Sequence, residues 1–146
     1  MPPSERVLVV DDEPAIRALV AKIVERAGLT VDTAHDGAAA IERIESTDYG
    51  VVVVDLMMPN VDGYGLIDYL KHREGEKPTI IVVSAGEGQA LRQLDGALVH
   101  SIVRKPFDID VLGDLITAAA KARTSMEQEE RQDGDVIQFP GGEIIC

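Results

Sequence analysis

The hydrophobic positions of the chain fall into short apolar runs that alternate with segments of helical period. The β-branched run at residues 6–10 predicts a strand. After Pro14 the apolar positions recur at helical spacing as far as Gly28, which predicts an amphipathic helix. The same alternation continues to a final helix, expected from about Asp108 to Arg123. Further strands are expected near residues 30–34, 51–54, 79–83 and 101–103, and further helices near 38–44 and 66–72, with a short one between Gly86 and Gly96.

Strands that alternate with helices in this way favour an α/β fold with a doubly wound parallel sheet and right-handed crossovers. The sequence predicts five strands and five helices in one domain over residues 1–123. From Thr124 onward the chain turns polar and acidic and ends in VIQFPGGEIIC. We therefore expect an acidic C-terminal tail or linker stub over residues 124–146.

Composition and charge narrow the possible functions. A formal net charge of -12, with no cluster of Lys or Arg to offset it, would repel a phosphate backbone, so direct nucleic-acid binding is not expected. The single cysteine, Cys146, leaves no internal disulfide and no cysteine metal cluster. No apolar run approaches the roughly 18 residues that membrane insertion needs, and the start MPPSER lacks the core of a signal peptide. A cytoplasmic setting is the resulting expectation.

Polar residues with useful chemistry follow four of the apolar runs. Asp11 and Asp12 follow the first run, Asp55 follows four valines, Ser84 follows TIIVV, and Lys105 comes after the last strand. The carboxyl ends of parallel strands lie along one edge of a sheet, and ligands bind at that edge in open α/β sheets. Three carboxylates, one hydroxyl and one ammonium are therefore expected to meet in one cleft.

These residue types suit phosphoryl transfer assisted by a metal ion. The carboxylate pair Asp11 and Asp12 can hold Mg²⁺ while the ion keeps several of its waters. A further carboxylate, Asp55, can attack a phosphoryl group and form an aspartyl phosphate if nearby positive charge offsets the repulsion. Lys105 and Ser84 can bind phosphoryl oxygens. Each residue alone also fits an ordinary capping, surface or turn role, and their joint occurrence at different strand ends favours the chemical interpretation.

The motifs DDE, VVVVDLMMPNVDG, VVSAG and KPF, in this order, resemble the receiver domain of two-component response regulators over residues 6 to about 123. The resemblance implies a flavodoxin-like three-layer sandwich with strand order 2-1-3-4-5. It also implies that Asp55 accepts a phosphoryl group from a sensor histidine kinase or a histidine phosphotransfer protein. Phosphorylation would then alter the binding of a downstream protein partner.

The same resemblance implies a role for each site residue. Asp12 would bind Mg²⁺ directly and Asp11 through water, with Asp55 and the backbone carbonyl of Met57 as further ligands. Lys105 and Ser84 would bind phosphoryl oxygens, and the peptide bond from Lys105 to the following proline would be cis. No other cofactor is implied. Such a protein is a signalling phosphoacceptor rather than an enzyme, although it can promote its own phosphorylation and dephosphorylation.

One position departs from the family pattern. Members of the family often carry Tyr or Phe three residues before the lysine, and here that residue is Ile102. The aromatic part of the family's switch is therefore missing. We hypothesise that the segment from Gly86 to Gly96 moves together with Ser84 instead.

Other classes of function remain as alternatives. A phosphatase of the haloacid dehalogenase type also uses an Asp nucleophile after a strand, but its second Asp, two residues on, is Met57 here, so the general acid is lost. A flavin-binding module would need more aromatic residues and a Ser/Thr-rich phosphate loop. A receiver-like interaction module that works without phosphorylation is disfavoured because all five site residues are retained.

Overall fold

The fold is built from five strands and four helices within the residues that the structure describes. The structure is a computed structural model and describes residues 6–56, 62–75, 77–85 and 99–132, with side chains described as far as residue 122. In chain order the elements are β1 (Arg6–Val10), α1 (Pro14–Arg26), β2 (Thr30–Ala34), α2 (Gly37–Ser46), β3 (Val51–Asp55), α3 (Gly63–His72), β4 (Thr79–Ser84), β5 (Val99–Arg104) and α4 (Ile109–Gln132).

The strands form one parallel sheet in the order β2-β1-β3-β4-β5. Helices α2 and α3 cover one face, and α1 and α4 cover the other, which gives three layers. The valines of β3 show why the strand is uninterrupted by polar residues: Val52 and Val54 pack towards α2 and α3, whereas Val51 and Val53 pack towards α1 and α4. A parallel strand covered on both faces needs an apolar residue at every position. The predicted doubly wound sheet is confirmed.

Helices α1 and α3 begin close to the carboxyl edge of the sheet, after the loops that follow β1 and β3. Helix α1 begins at Pro14, which suits a first turn because proline lacks the N–H that would have no partner there. Helix α3 begins at Gly63, earlier than the prediction near Leu66. The carboxylate of Asp62 accepts a hydrogen bond from the Gly65 N–H at 2.9 Å, and this cap stabilises a turn that contains two glycines.

The last helix is longer than predicted. Helix α4 continues to Gln132 rather than ending at Arg123, and it crosses the domain boundary expected there. The loss of apolar residues was a misleading stop signal, since residues 124–132 are rich in Glu, Gln, Met and Arg and contain no Gly or Pro. The division of the chain at residue 123 stays a prediction.

Strand β5 is longer than the predicted 101–103, and the helix expected between Gly86 and Gly96 lies outside the described residues. Among the described residues, none of the helices has both the length and the apolar character needed to cross a membrane.

Candidate functional site

Two acidic strand ends lie side by side in the middle of the sheet. Asp55 is the last residue of β3, and Asp11 directly follows β1, the neighbouring strand. The chain winds from β1 outwards to β2 and then returns to the other side of β1 as β3, so this is the point where the strand order reverses. Crevices at such points are the usual ligand sites of doubly wound sheets.

The ammonium group of Lys105 joins three carboxylates at this edge. Its Nζ lies 3.1 Å from Asp11 Oδ2, 3.2 Å from Glu13 Oε1 and 3.3 Å from Asp55 Oδ2. The side chains of Asp11 and Asp55 are 5% exposed, and that of Lys105 is 13% exposed. Such ion pairs are screened little by solvent, so Lys105 stabilises two buried acids that lie far from it in the chain.

The acids also raise the pKa of the lysine. Burial by itself lowers the pKa of Lys105, but the hydrogen bond and charge of Asp11, the charge of Asp55 and the hydrogen bond to Glu13 together raise the pKa above the usual 10.5. Lys105 is therefore a permanent positive charge at neutral pH. A fixed cation suits the binding of an anionic group at this edge.

Negative charge still exceeds positive charge in this cluster. Carboxylate oxygens of Asp11, Asp12 and Asp55 all lie within 4.8 Å of one another, and the side chain of Asp12 is exposed. One ammonium cannot neutralise them all. Magnesium prefers oxygen ligands and needs only a few carboxylates, because it keeps part of its water shell. The acidic pocket formed by these three aspartates therefore fits Mg²⁺.

Backbone contacts fix the loop that carries the first two acids. The Asp11 N–H donates to the carbonyl of Ala34 at the end of β2, and the Glu13 N–H donates to Asp11 Oδ1 at 2.9 Å. From inside α1, the Arg17 guanidinium donates to the carbonyl oxygen of Asp11, also at 2.9 Å. These contacts hold the Asp11 carboxylate towards Lys105 rather than towards solvent.

The geometry agrees with the comparisons to known proteins. The model of the response regulator receiver domain family matches residues 7–117. The chain belongs to this family. Transcriptional regulatory protein TcrA of Mycobacterium tuberculosis is 35% identical over 136 residues, which make up 92% of this chain and 53% of that protein. The chain therefore spans about half the length of this relative.

Solved structures show the same architecture. The receiver domain of the Francisella response regulator 1452 matches with a TM-score of 0.74 and 28% identity, covering 82% of this chain and 98% of that one. The response regulator TrrA of Thermotoga maritima, in complex with Mg²⁺ and BeF, matches with a TM-score of 0.70 and 29% identity, covering 79% and 98%. The predicted flavodoxin-like receiver fold is confirmed. Members of this family are signalling phosphoacceptors that histidine kinases phosphorylate and that bind Mg²⁺ at an acidic site.

The structure brings most of the predicted site residues of this receiver domain together. Asp11, Asp12, Asp55 and Lys105 form one cluster. Ser84 ends β4 with 1% exposure, and its carbonyl accepts a hydrogen bond from the Lys105 N–H at 3.1 Å. The peptide bond after Lys105 is cis, as the resemblance implied.

Two of the other predicted features of the receiver site lie outside the described residues, and a third, Ile102, is described. Met57, whose carbonyl was expected to bind Mg²⁺, lies outside the described residues, as does the segment from Gly86 to Gly96. Ile102, at the position of the missing aromatic residue, lies on the outer face of β5 and is 43% exposed. The proposed route of the switch stays a prediction.

Sequence reasoning missed two residues that contact the site. Glu13 follows the acidic pair directly, and its side chain shares Lys105 with the buried acids. Arg17 lies four residues later, on the first turns of α1. The run DDE showed a third acid, and the helical spacing of Arg17 from Glu13 was visible, but the contacts depend on how β1 and α1 meet.

Proposed function

We propose that this receiver domain accepts a phosphoryl group on Asp55 and thereby changes its affinity for a downstream protein partner. The observation that carries the proposal is the position of the Asp55 carboxylate. It is buried at the strand-order reversal, 3.3 Å from the Lys105 ammonium and within the acidic cluster of Asp11 and Asp12. A buried carboxylate thus lies beside both a fixed cation and a candidate metal site.

In the proposed reaction an oxygen of Asp55 attacks the phosphorus of a phosphohistidine. The oxygen–phosphorus bond forms as the nitrogen–phosphorus bond breaks, and the electron pair of the broken bond stays on the imidazole nitrogen, which takes up a proton. The donor is a sensor histidine kinase or a histidine phosphotransfer protein. The receiver domain contributes the positioned nucleophile, and the partner contributes the phosphoryl group.

Charge is the main obstacle, because an anion attacks an anion. Asp11, Asp12 and Asp55 would hold Mg²⁺, together with the carbonyl of Met57 that the family resemblance implies. When bound, the ion would neutralise charge shared by the carboxylate and the phosphoryl group. Lys105 would shift from Asp55 Oδ2 to a phosphoryl oxygen, and the Ser84 hydroxyl would donate to another. Phosphorylation would thus change the contacts of two strand ends.

The proposed partners follow from the family and from charge. A phosphohistidine protein supplies the phosphoryl group, and a protein receives the signal, since a chain with formal charge -12 is a poor ligand for nucleic acid. Relatives such as TcrA carry the name of transcriptional regulators, and this chain covers 53% of that protein. A cytoplasmic location, where the kinase and its ATP are available, is part of the same proposal.

The test is the intact mass of the protein after incubation with acetyl phosphate and Mg²⁺. The wild type should gain the mass of one phosphoryl group. Asp55→Asn should gain none, because an amide is not a nucleophile here, whereas Asp48→Asn, which changes an exposed acid on the loop before β3, should behave like the wild type. A mass gain that persists in Asp55→Asn, or that never occurs in the wild type, would contradict the proposal.

A further inference from the structure

The first residue of α3 lies against the backbone that follows Asp55. The Gly63 N–H donates to the carbonyl of Leu56 at 3.1 Å. A Cβ atom built on Gly63 would lie 2.5 Å from Leu56 Cα and 2.6 Å from the Asp55 carbonyl oxygen. Both are backbone atoms, which cannot rotate away as a side chain can. Gly63 has a helical backbone that any residue can adopt, so the requirement for glycine here is one of space.

Helix α3 cannot easily move away from this contact. The Asp62 carboxylate caps its first turn through the Gly65 N–H at 2.9 Å. Its buried residues Leu66, Ile67 and Leu70 belong to the core between the sheet and α2. Moving the whole helix outwards would therefore open a packed core, and displacing its first turn alone would break the cap.

The end of β3 is the less firmly held partner. Val54 pairs with strands on both sides, with Val10 on β1 and Val82 on β4. Asp55 is the last residue of the strand and pairs with Val83 on β4, and Leu56 lies beyond the end of β3. A side chain at position 63 would therefore push Asp55 and Leu56 before it displaced α3. The hydrogen bond from Lys105 to Asp55 is already 3.3 Å long, so a small shift of Asp55 away from Lys105 would break it.

We propose that Gly63 is a positioning residue for phosphorylation. Its missing side chain lets α3 hold the backbone of Asp55 and Leu56 where the Asp55 carboxylate faces Lys105 and the acidic pair. This proposal rests on Asp55 being the phosphoacceptor, and it adds that the position of this nucleophile is determined from the start of α3. A glycine needed only for folding would affect stability alone, whereas a positioning residue also predicts that a side chain at position 63 displaces the Asp55 carboxylate.

The experiment compares Gly63→Ala with Gly113→Ala. Gly113 lies in α4 away from the site, and a Cβ there would lie 3.3 Å from Cγ2 of Ile23, a longer distance and to a side-chain atom rather than to backbone. With Mg²⁺ and saturating acetyl phosphate, Gly63→Ala should lower the first-order rate of mass gain by roughly 10- to 100-fold, because the nucleophile is displaced from its partners. Gly113→Ala should keep a rate close to that of the wild type.

A double variant separates positioning from simple loss of stability. Asp62→Ala removes the cap, so in D62A/G63A the first turn of α3 can move and Asp55 can return. The phosphorylation rate should then recover partly, and the melting temperature should fall by less than the sum of the two single changes. If Gly63→Ala does not fold, a folded and phosphorylated double variant still supports the proposal.

The outcomes also distinguish this proposal from the proposed function. A crystal structure of unphosphorylated Gly63→Ala should show a longer distance from Asp55 Oδ2 to Lys105 Nζ than the 3.3 Å of the unphosphorylated wild type. Absence of mass gain in the wild type contradicts only the function, and the distance then decides the role of Gly63. An unchanged distance, a wild-type rate in Gly63→Ala, or a double variant that is unfolded or purely additive would overturn the positioning role.

Discussion

The amino ends of the strands form one edge of the sheet and the carboxyl ends form the other, and the two edges differ in how well their acids are neutralised. Near the amino edge, Asp32 Oδ2 accepts a hydrogen bond from the Tyr49 hydroxyl at 2.6 Å and lies 3.6 Å from Arg6 Nη1. One acid there has one cation and one neutral donor. At the carboxyl edge, Lys105 is shared by three carboxylates, and the exposed Asp12 adds a fourth acid.

This difference separates polar groups that stabilise the fold from polar groups that prepare it for a ligand. The amino-edge cluster is balanced, so it needs nothing further. The carboxyl-edge cluster repels itself, because like charges in a site of low dielectric destabilise one another. A cation bound there would relieve that repulsion, and stability lost at such a site is a common cost of function.

The largest effect is expected from Lys105→Met. The change keeps the packing of the side-chain stem but leaves Asp11 and Asp55 buried without their shared cation. Urea unfolding without Mg²⁺ at neutral pH should show a free energy of unfolding lower by about 3 kcal/mol, typical of breaking a buried ion pair. Lys22→Met, at an exposed position of α1, is the matched control and should change stability little.

The pH dependence of this loss has a defined sign. Because the pKa of Lys105 is raised above 10.5 in the folded protein, its stabilising contribution is complete below 10.5 and disappears only as pH rises through the higher folded value. The difference between wild type and Lys105→Met should therefore be constant around neutral pH. Addition of Mg²⁺ should recover part of the loss. Equal stability of the two proteins without Mg²⁺ would show that the carboxyl edge is not strained by its excess acid.

A smaller effect is expected at the balanced edge from Tyr49→Phe. Burial and the hydrogen bond to Asp32 raise the pKa of Tyr49 from 10.0 to about 12. Loss of the hydroxyl should cost about 2 kcal/mol at neutral pH, as for other hydrogen bonds to charged groups. The variant should be phosphorylated at the wild-type rate, since this cluster lies at the other edge of the sheet.

Unfolding at alkaline pH tests whether the stability lost in Tyr49→Phe comes from the hydroxyl proton of Tyr49. The unfolded chain loses the tyrosine proton first, so the advantage of the wild type over Tyr49→Phe is complete below pH 10.0 and should shrink as pH rises towards about 12. Urea midpoints measured across this range decide the matter. Tyr69→Phe, whose hydroxyl donates to the exposed Glu45 at 3.2 Å, serves as the control and should lose less. A constant advantage for the wild type throughout would contradict the role given to Asp32.

The contrast between the edges also shows what could be read from the sequence. The valine run of β3 predicted a strand buried on both faces, and the residue after it had to lie at the carboxyl edge, so the place of Asp55 followed from period and burial alone. Asp11 and Asp12 followed in the same way from β1. The motifs then added the strand order and the chemistry.

Other features depend on tertiary approach and had no local signal. The sharing of Lys105 with Glu13 requires the lysine side chain to extend from the end of β5 to the start of α1. The need for glycine at position 63 arises because α3 begins within contact of the Leu56 backbone, although the residues between them suggested only a loop. The length of α4 was underestimated because its extension past Arg123 rests on helix propensity rather than on an apolar stripe.

The smallest effect on the metal-free protein is expected from Asp12→Asn. Asp12 is exposed and belongs to the acidic cluster, so its neutralisation removes repulsion without unpairing a buried group. The free energy of unfolding without Mg²⁺ should rise by about 0.5 kcal/mol or less, as for a surface substitution. The same change removes a proposed ligand, so the increase in melting temperature that Mg²⁺ gives the wild type should largely disappear.

The matched control for this last prediction is Asp114→Asn, which neutralises an exposed acid on α4. It carries the same change in net charge, so a general charge effect would alter both variants alike. Only Asp12→Asn should lose the response to Mg²⁺. If both variants kept that response, the ion would not be held by the acidic pair. If both lost it, net charge rather than a defined site would govern stability, and the carboxyl edge would differ from the amino edge only in how much charge it carries.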